Sequence, residues 1–346
     1  MKHVKSLIIA IVVVLVAIGT VALLVVLEGK DDTFRSRTMF AMDTTLDITI
    51  QGREKKHSQE DVDAAYALVK KIESHSSMFK KGSDVSLINK SAGVKSIKVH
   101  PDTLSMIETS LKYSELTGGA FDVTVAPIVR LWGFYSGRYR VPSPEEIAKT
   151  LPLVDYRKVL IDHERSTGML AQPAMEMDLG GVAKGYAVRA MYDLLKARGV
   201  RSGLINFGGA VGAIGRRSDG KPWVVGIKSP RDEAGDLAGE VNLEDSFVSS
   251  SGDYERFFIK DGKRYCHIFD PKTGYQPVSV IADTVIGPDS AADDILSTAL
   301  FVMGPDRGLA FLEGSGGYAG LFIDSSGTVR QSGGLRKYVI TMKDHI

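Results

Sequence analysis

One cysteine, Cys266, is present in the 346 residues, so no disulfide forms within the chain and no cysteine near the N-terminus is available to carry a lipid. A long basic tract is missing too, and 43 Lys and Arg against 42 Asp and Glu leave a formal charge of +1. That near-balance excludes the electrostatic footprint of a nucleic-acid or polyanion binder. No repeat of fixed period and no low-complexity tract is present, which excludes a solenoid or a long compositionally biased tail. With 44% apolar and 25% charged residues, a chain of this length buries a large core and forms one large domain or two intimately joined ones.

The longest uncharged run occupies residues 7–27, LIIAIVVVLVAIGTVALLVVL. As a helix it reaches about 30 Å, enough for a hydrocarbon core. Lys2 and Lys5 precede it, whereas Glu28, Lys30, Asp31 and Asp32 follow, and the positive-inside bias then places the N-terminus in the cytoplasm. The expected organisation is a cytoplasmic segment 1–6, a single transmembrane signal anchor 7–27, a linker 28–37 and a globular body 38–346 on the periplasmic or extracytoplasmic side. A cleaved signal peptide is the competing reading; the run is longer than a usual signal core and no small-x-small site lies clear of it.

Within the body, residues 40–50 alternate like a strand, with Leu46, Ile48 and Ile50 on one side. A helix is predicted from Ser58 as cap, its buried face marked by Val62, Ala65, Tyr66, Val69 and Ile72. A second runs from about Pro101, suited to a first turn, to the Gly118-Gly119 stop. Beyond residue 148 short strands are predicted at 159–161, 175–177, 203–207, 223–227, 247–250, 265–269, 278–286, 318–323 and 338–342, interrupted by helices from Gly181 and over 290–303. Such uneven blocks predict an α+β fold of mixed antiparallel sheets and helices.

Chemistry concentrates in a few stretches. In Asp178-Leu179-Gly180-Gly181-Val182-Ala183-Lys184-Gly185-Tyr186-Ala187 an acid and paired glycines stand at the mouth of a helix with a lysine on its first turn. A helix start presents free N–H groups and a positive dipole end, and glycine admits a ligand close to the backbone, so a phosphate-bearing ligand is the functional reading and a tight strand-to-helix turn the bland one. Asp294 and Thr298 stand four apart on a predicted helix, which brings a carboxylate and a hydroxyl to one face. These are hard oxygen ligands of the kind Mg²⁺ accepts beside phosphate and water; the alternative is that Ser290, Asp293 and Asp294 merely cap the helix.

In Tyr265-Cys266-His267-Ile268-Phe269-Asp270-Pro271-Lys272-Thr273-Gly274 a predicted strand ends in a turn. His267 is a candidate general base because imidazole titrates near working pH. Cys266 and His267, as strand neighbours, would point to opposite faces, so Cys266 reads as a small core residue. Asp122, just beyond Gly118-Gly119-Ala120-Phe121, either accepts from a ligand or caps the next turn. Asn206-Phe207-Gly208-Gly209 marks a close backbone approach, and Met42 and Phe79 are soft apolar groups able to sandwich a planar ring.

Taken together these stretches resemble a known family. Met42-x-Thr44, Ser83-Asp84-Val85-Ser86-x-x-Asn89, Gly118 to Thr124, Leu131-Trp132-Gly133-Phe134, Asp178 to Ala187, Asn206-Phe207-Gly208-Gly209, His267-Ile268-x-Asp270-Pro271-x-Thr273-Gly274 and Asp294-x-x-x-Thr298 occur in the order seen in ApbE-type FAD:protein FMN transferases. The resemblance spans residue 38 to the C-terminus and implies an ApbE/T-fold-like body. It implies Mg²⁺-dependent transfer of FMN from FAD, the substrate, to a threonine or serine hydroxyl of an acceptor protein through a phosphoester bond, with AMP released. Met42, Phe79, Ala120, Phe121, Asp122, Asp178, Lys184 and Ile268 would contact FAD, and Gly181, through its carbonyl, would bind Mg²⁺ with Asp294 and Thr298. His267 would be the catalytic base, oriented by Asp270 unless that residue only fixes the turn. Acceptors of the Rnf or Nqr electron-transfer type would suit the expected topology. Rival readings are a FAD pyrophosphatase that releases FMN and AMP, and a non-catalytic FAD-binding protein. Three departures stand out: Asp43 in place of glycine after the methionine, Ala210 after Gly208-Gly209, and Asp293 in place of alanine beside the metal aspartate, which leaves open which of the two aspartates binds.

Overall fold

The computed structural model describes residues 33–231 and 236–346. Among these, no helix is long and apolar enough to cross a membrane; the predicted anchor 7–27 lies outside the described residues.

Three strands open the body, β1 (Phe34–Arg35), β2 (Met39–Ala41) and β3 (Thr44–Ile50), and α1 (Lys55–Ser76) and α2 (Asp84–Lys90) follow. Val62, Ala65, Val69 and Ile72 are buried on α1 as the periodicity predicts. Its start is four residues earlier than expected: Glu54 is the cap, and Ser58 lies inside the helix with its hydroxyl returned to the Glu54 carbonyl at 3.1 Å. Ser83 caps α2 by accepting from Ser86 N at 3.0 Å. After β4 (Ile97–Lys98) come α3 (Pro101–Leu116), α4 (Ala126–Leu131) and α5 (Pro144–Thr150), and then the hairpin β5 (Val159–Asp162) and β6 (Thr167–Leu170).

Helix α6 (Gly180–Ala197) begins at the paired glycines. The strand predicted at 175–177 is absent as a ladder, although Met175 and Met177 are fully buried. The Asn89 side chain stands in for a neighbouring strand, accepting from Met177 N at 2.7 Å and donating to Met177 O at 2.9 Å. Five strands follow, β7 (Gly203–Phe207), β8 (Ala210–Ile214), β9 (Trp223–Lys228), β10 (Leu237–Leu243) and β11 (Ser246–Gly252), and then the hairpin β12 (Phe257–Lys260) and β13 (Lys263–Cys266). The chain closes through β14 (Val280–Gly287), α7 (Ser290–Met303), α8 (Pro305–Ser315), β15 (Ala319–Asp324), β16 (Val329–Gln331) and β17 (Val339–Met342).

Nine strands form the central sheet in the order β1-β3-β7-β8-β11-β14-β15-β16, with β2 added on β3, and every pairing is antiparallel. Alternation of side chains sends successive residues to opposite faces. Phe207, Phe247, Val285 and Phe322 face a core shared with α1, α3, α6 and α7. Val211, Val248, Ile286 and Leu321 face a second core against the three-stranded sheet β17-β10-β9. The expected α+β architecture with mixed antiparallel sheets is therefore what the chain adopts. A third, smaller core gathers Ile128, Trp132, Phe134, Ile147 and Phe269 around α4.

Candidate active site

The site forms where the start of α6 meets the first turns of α7. A Cβ built on Gly185 would lie 2.1 Å from the Ser290 carbonyl oxygen and 2.7 Å from Asp294 Cβ, so only glycine lets the two helices approach this closely. The approach has a chemical result: Asp294 Oδ2 accepts from Gly185 N at 3.0 Å, and its other oxygen lies 3.4 Å from Lys184 Nζ. Lys184 also reaches the Gly180 carbonyl at 3.4 Å. At Gly181 a Cβ would lie 2.8 Å from the Phe121 ring and 3.8 Å from Thr298 Oγ1. Gly181, Phe121, Lys184, Asp294 and Thr298 thus occupy one place, brought together from three separate segments.

Asp293 is not part of it. Its carboxylate is fully buried beside Gly287, on the sheet side of α7. Burial pushes its carboxyl well above the ordinary range, and the nearby Asp289 charge pushes the same way. Residues adjacent on a helix are about 100° apart around its axis, so Asp294 and Asp293 serve different surroundings. The side chains left at the site offer a carboxylate and a hydroxyl, both hard oxygens, beside the Gly181 backbone, with the carboxylate charge partly offset by Lys184. That set fits Mg²⁺ completed by phosphate and water.

Sequence order alone left the acids near the helix start ambiguous, and the structure separates them. Asp178 Oδ1 accepts from Gly180 N at 2.8 Å and Oδ2 accepts from the Tyr135 hydroxyl at 2.6 Å, so it caps the entry to α6 at the rim of the site. Asp122 is spent on the fold: Oδ1 accepts from both Thr124 N and Thr124 Oγ1, and Oδ2 from Tyr156 N. Burial raises its pKa despite these bonds. Ala120 and Phe121 of the same segment are buried.

His267 lies one residue beyond β13, not within a strand, and its backbone N–H donates to Arg256 O at 3.0 Å. The side chain is partly exposed, yet Nδ1 is shielded and has no partner. Burial lowers its pKa to about 4, helped by the positive charges of Arg256 and Lys184. Asp270 does not orient it: Asp270 Oδ1 accepts from Lys272 N at 2.9 Å and its carbonyl from Gly274 N at 2.8 Å, so it holds the turn. Cys266 is a core residue, as expected, with its thiol pushed up to about 11 by burial. Ile268 is buried beside it.

Met42 sits on the two-residue turn between β2 and β3, with φ of 48° at Met42 and 60° at Asp43. Its N–H donates to Glu73 Oε1 at 3.0 Å, and the other Glu73 oxygen pairs with Lys80, next to Phe79. Phe79 is 59% exposed and meets Tyr135 edge-on. Sequence reasoning passed over Glu73, Tyr135 and Gly185. Tyr135 directly follows the Leu131-Trp132-Gly133-Phe134 motif, and Gly185 lies within the motif at α6; Glu73 carried no signal at all.

An α+β body in which a glycine-paired helix start meets a carboxylate and a hydroxyl of a second helix is suited to a phosphate-bearing ligand. The ApbE family profile matches residues 42–322, and the chain belongs to the ApbE family. It is 34% identical over 268 residues to the FAD:protein FMN transferase of Haemophilus influenzae, covering 75% of this chain and 76% of that one. Its structure is similar to that of the ApbE protein of Thermotoga maritima, with a TM-score of 0.82 and 33% identity over 88% of this chain and 98% of that one. The flavin transferase ApbE of Vibrio cholerae gives a TM-score of 0.78 at 27% identity, covering 89% of this chain and all of that one.

Proposed function

We propose that this chain is a Mg²⁺-dependent FAD:protein FMN transferase that moves FMN from FAD to a threonine or serine hydroxyl of an acceptor protein and releases AMP. The observation that carries the reading is the meeting of Asp294, Thr298 and the Gly181 backbone at the start of α6, with Lys184 paired to Asp294. The α6 N-terminus and Lys184 hold the pyrophosphate charge. Asp294, Thr298 and the Gly181 carbonyl would hold Mg²⁺, which supplies charge neutralisation at the phosphates. Phe79 and Met42 offer apolar surface to a planar ring, and Asp178 offers an acceptor at the rim.

The acceptor oxygen attacks the flavin-side phosphorus, the pyrophosphate P–O bond breaks, and AMP departs. A threonine hydroxyl is too weakly acidic to attack unaided, and His267, neutral at physiological pH, takes its proton as the P–O bond forms. An imidazole held near pKa 4 in the free protein is a weak base. The negative pyrophosphate, once bound, offsets the Arg256 and Lys184 charges that add to the effect of burial.

The acceptor belongs on the extracytoplasmic side with the body, tethered through the segment 7–27, where Rnf- or Nqr-type subunits are suitable partners. The test is to mix the full-length chain, FAD, Mg²⁺ and a candidate acceptor domain and look for flavin fluorescence in the denatured acceptor band with equimolar AMP. Free FMN with AMP and no labelled band would instead make the chain a pyrophosphatase, and bound but intact FAD would make it a flavin carrier.

A further inference from the structure

Tyr135 belongs to none of the groups assigned above, yet it connects two of them. Its hydroxyl donates to Asp178 Oδ2 at 2.6 Å, while Asp178 Oδ1 is engaged by Gly180 N. Its ring meets Phe79 edge-on, centroids 5.2 Å apart at 73°. On it sits the Arg130 guanidinium, 5.3 Å from the centroid and fixed by two hydrogen bonds to Glu176 Oε2. Burial and the Asp178 charge push the phenol well above its ordinary pKa, so it remains a donor at working pH. The turn that carries it is rigid. Gly133 has φ of +87°, and a Cβ there would lie 2.0 Å from Arg138 O; the fully buried Trp132 donates from Nε1 to Gly274 O at 3.1 Å.

We infer that Tyr135 is a positioning residue for the flavin dinucleotide, holding the Asp178 carboxylate at the mouth of α6 and the Phe79 ring side-on so that the ring-binding edge is set before the ligand arrives. The inference rests on the reading of FAD as substrate. Phe79 is 59% exposed, an apolar surface whose orientation Tyr135 restricts, and preorganisation of this kind lowers the ordering cost of binding. Asp178 keeps lone pairs for a ligand after its two protein bonds, because a carboxylate accepts about four.

The experiment uses the full-length chain and compares Tyr135→Phe, Tyr135→Leu and Asp178→Ala with the unmutated protein, by FAD titration and steady-state transfer. Tyr135→Phe keeps the ring and loses a hydrogen bond to a charged group, so KM and Kd for FAD rise about tenfold while kcat changes far less. Tyr135→Leu, which also frees Phe79, weakens binding further. In the Asp178→Ala background, Tyr135→Phe adds less than about twofold, since the partner is gone. An unchanged KM in Tyr135→Phe, or the same rise with and without Asp178, overturns the inference, as does a drop in melting temperature with no KM-against-kcat split. Failure of the unmutated chain to bind FAD refutes the substrate reading itself and is read before any variant is made.

Discussion

Replacing Gly185 by alanine tests the helix junction directly. In an exposed helix the change would stabilise by about 1 kcal/mol, because alanine is the better helix former. Here the new methyl would sit 2.1 Å from Ser290 O, 2.8 Å from Ser290 C and 2.7 Å from Asp294 Cβ. Two of these are backbone atoms, so no rotamer change relieves the overlap, and α6 and α7 must separate by about 1 Å to restore van der Waals contact. That separation stretches the 3.0 Å bond from Gly185 N to Asp294 Oδ2 beyond hydrogen-bonding range. Overpacking costs about 1–3 kcal/mol, and loss of a bond to a carboxylate about 1.5–3 kcal/mol. Less the propensity gain, the expected net loss is about 1.5–5 kcal/mol, a fall in Tm of roughly 2–7 °C for a chain of this size. Asp294 moves with its helix, so the Mg²⁺ concentration for half-maximal FMN transfer rises as well. Differential scanning calorimetry and a Mg²⁺ titration of transfer read the two effects. A variant as stable as the parent with an unaltered Mg²⁺ requirement would show that the helices do not close on this glycine.

Other outcomes follow from the same geometry. Asp294→Asn is expected to lower transfer by about a hundredfold, while Asp293→Asn, buried away from the site, keeps it within about threefold; reversed effects would hand the metal to Asp293. For His267→Gln, kcat should fall by about 10²–10⁴. In the parent, kcat/KM should decline only as pH drops through about 4, and a limb near 6.5 would contradict the shielding of the imidazole. By linkage, the unfolded imidazole binds a proton below about 6.5 that the folded one refuses down to about 4. This residue therefore contributes stability above pH 6.5 that is lost as pH falls toward 4, measurable as a smaller decline in Tm for His267→Gln over that window. Asp43→Gly relieves a left-handed backbone at φ 60° and, after the entropy cost of glycine, should stabilise by about 0.5 kcal/mol; a loss in thermal melts would reveal an unrecognised role for that carboxylate.

What the chain's own order determined are the features that depend on near neighbours. The glycines that start α6, the buried stripe on α1, the Asp294 and Thr298 face, the strand periodicity of the central sheet and the small-core character of Cys266 are all written in spacings of two to four residues, the range over which backbone geometry is local. The motif order was also enough to bring out the family. Tertiary structure decided which of several equivalent polar groups faces which partner. Asp122 and Asp270 carry the same carboxylate as Asp294, but turns close around the first two, and only α7 packing on Gly185 delivers the third to the site. The stretch at 175–177 has the alternation of a strand, yet Asn89, 88 residues away from Met177, takes its hydrogen bonds. Tyr135 and Asp178 are 43 residues apart, and Lys184 acts on His267 across a still longer stretch of chain. A hydrogen bond or a charge acts over a few ångströms of space, and spacing along the chain says nothing about space once the chain has turned back on itself.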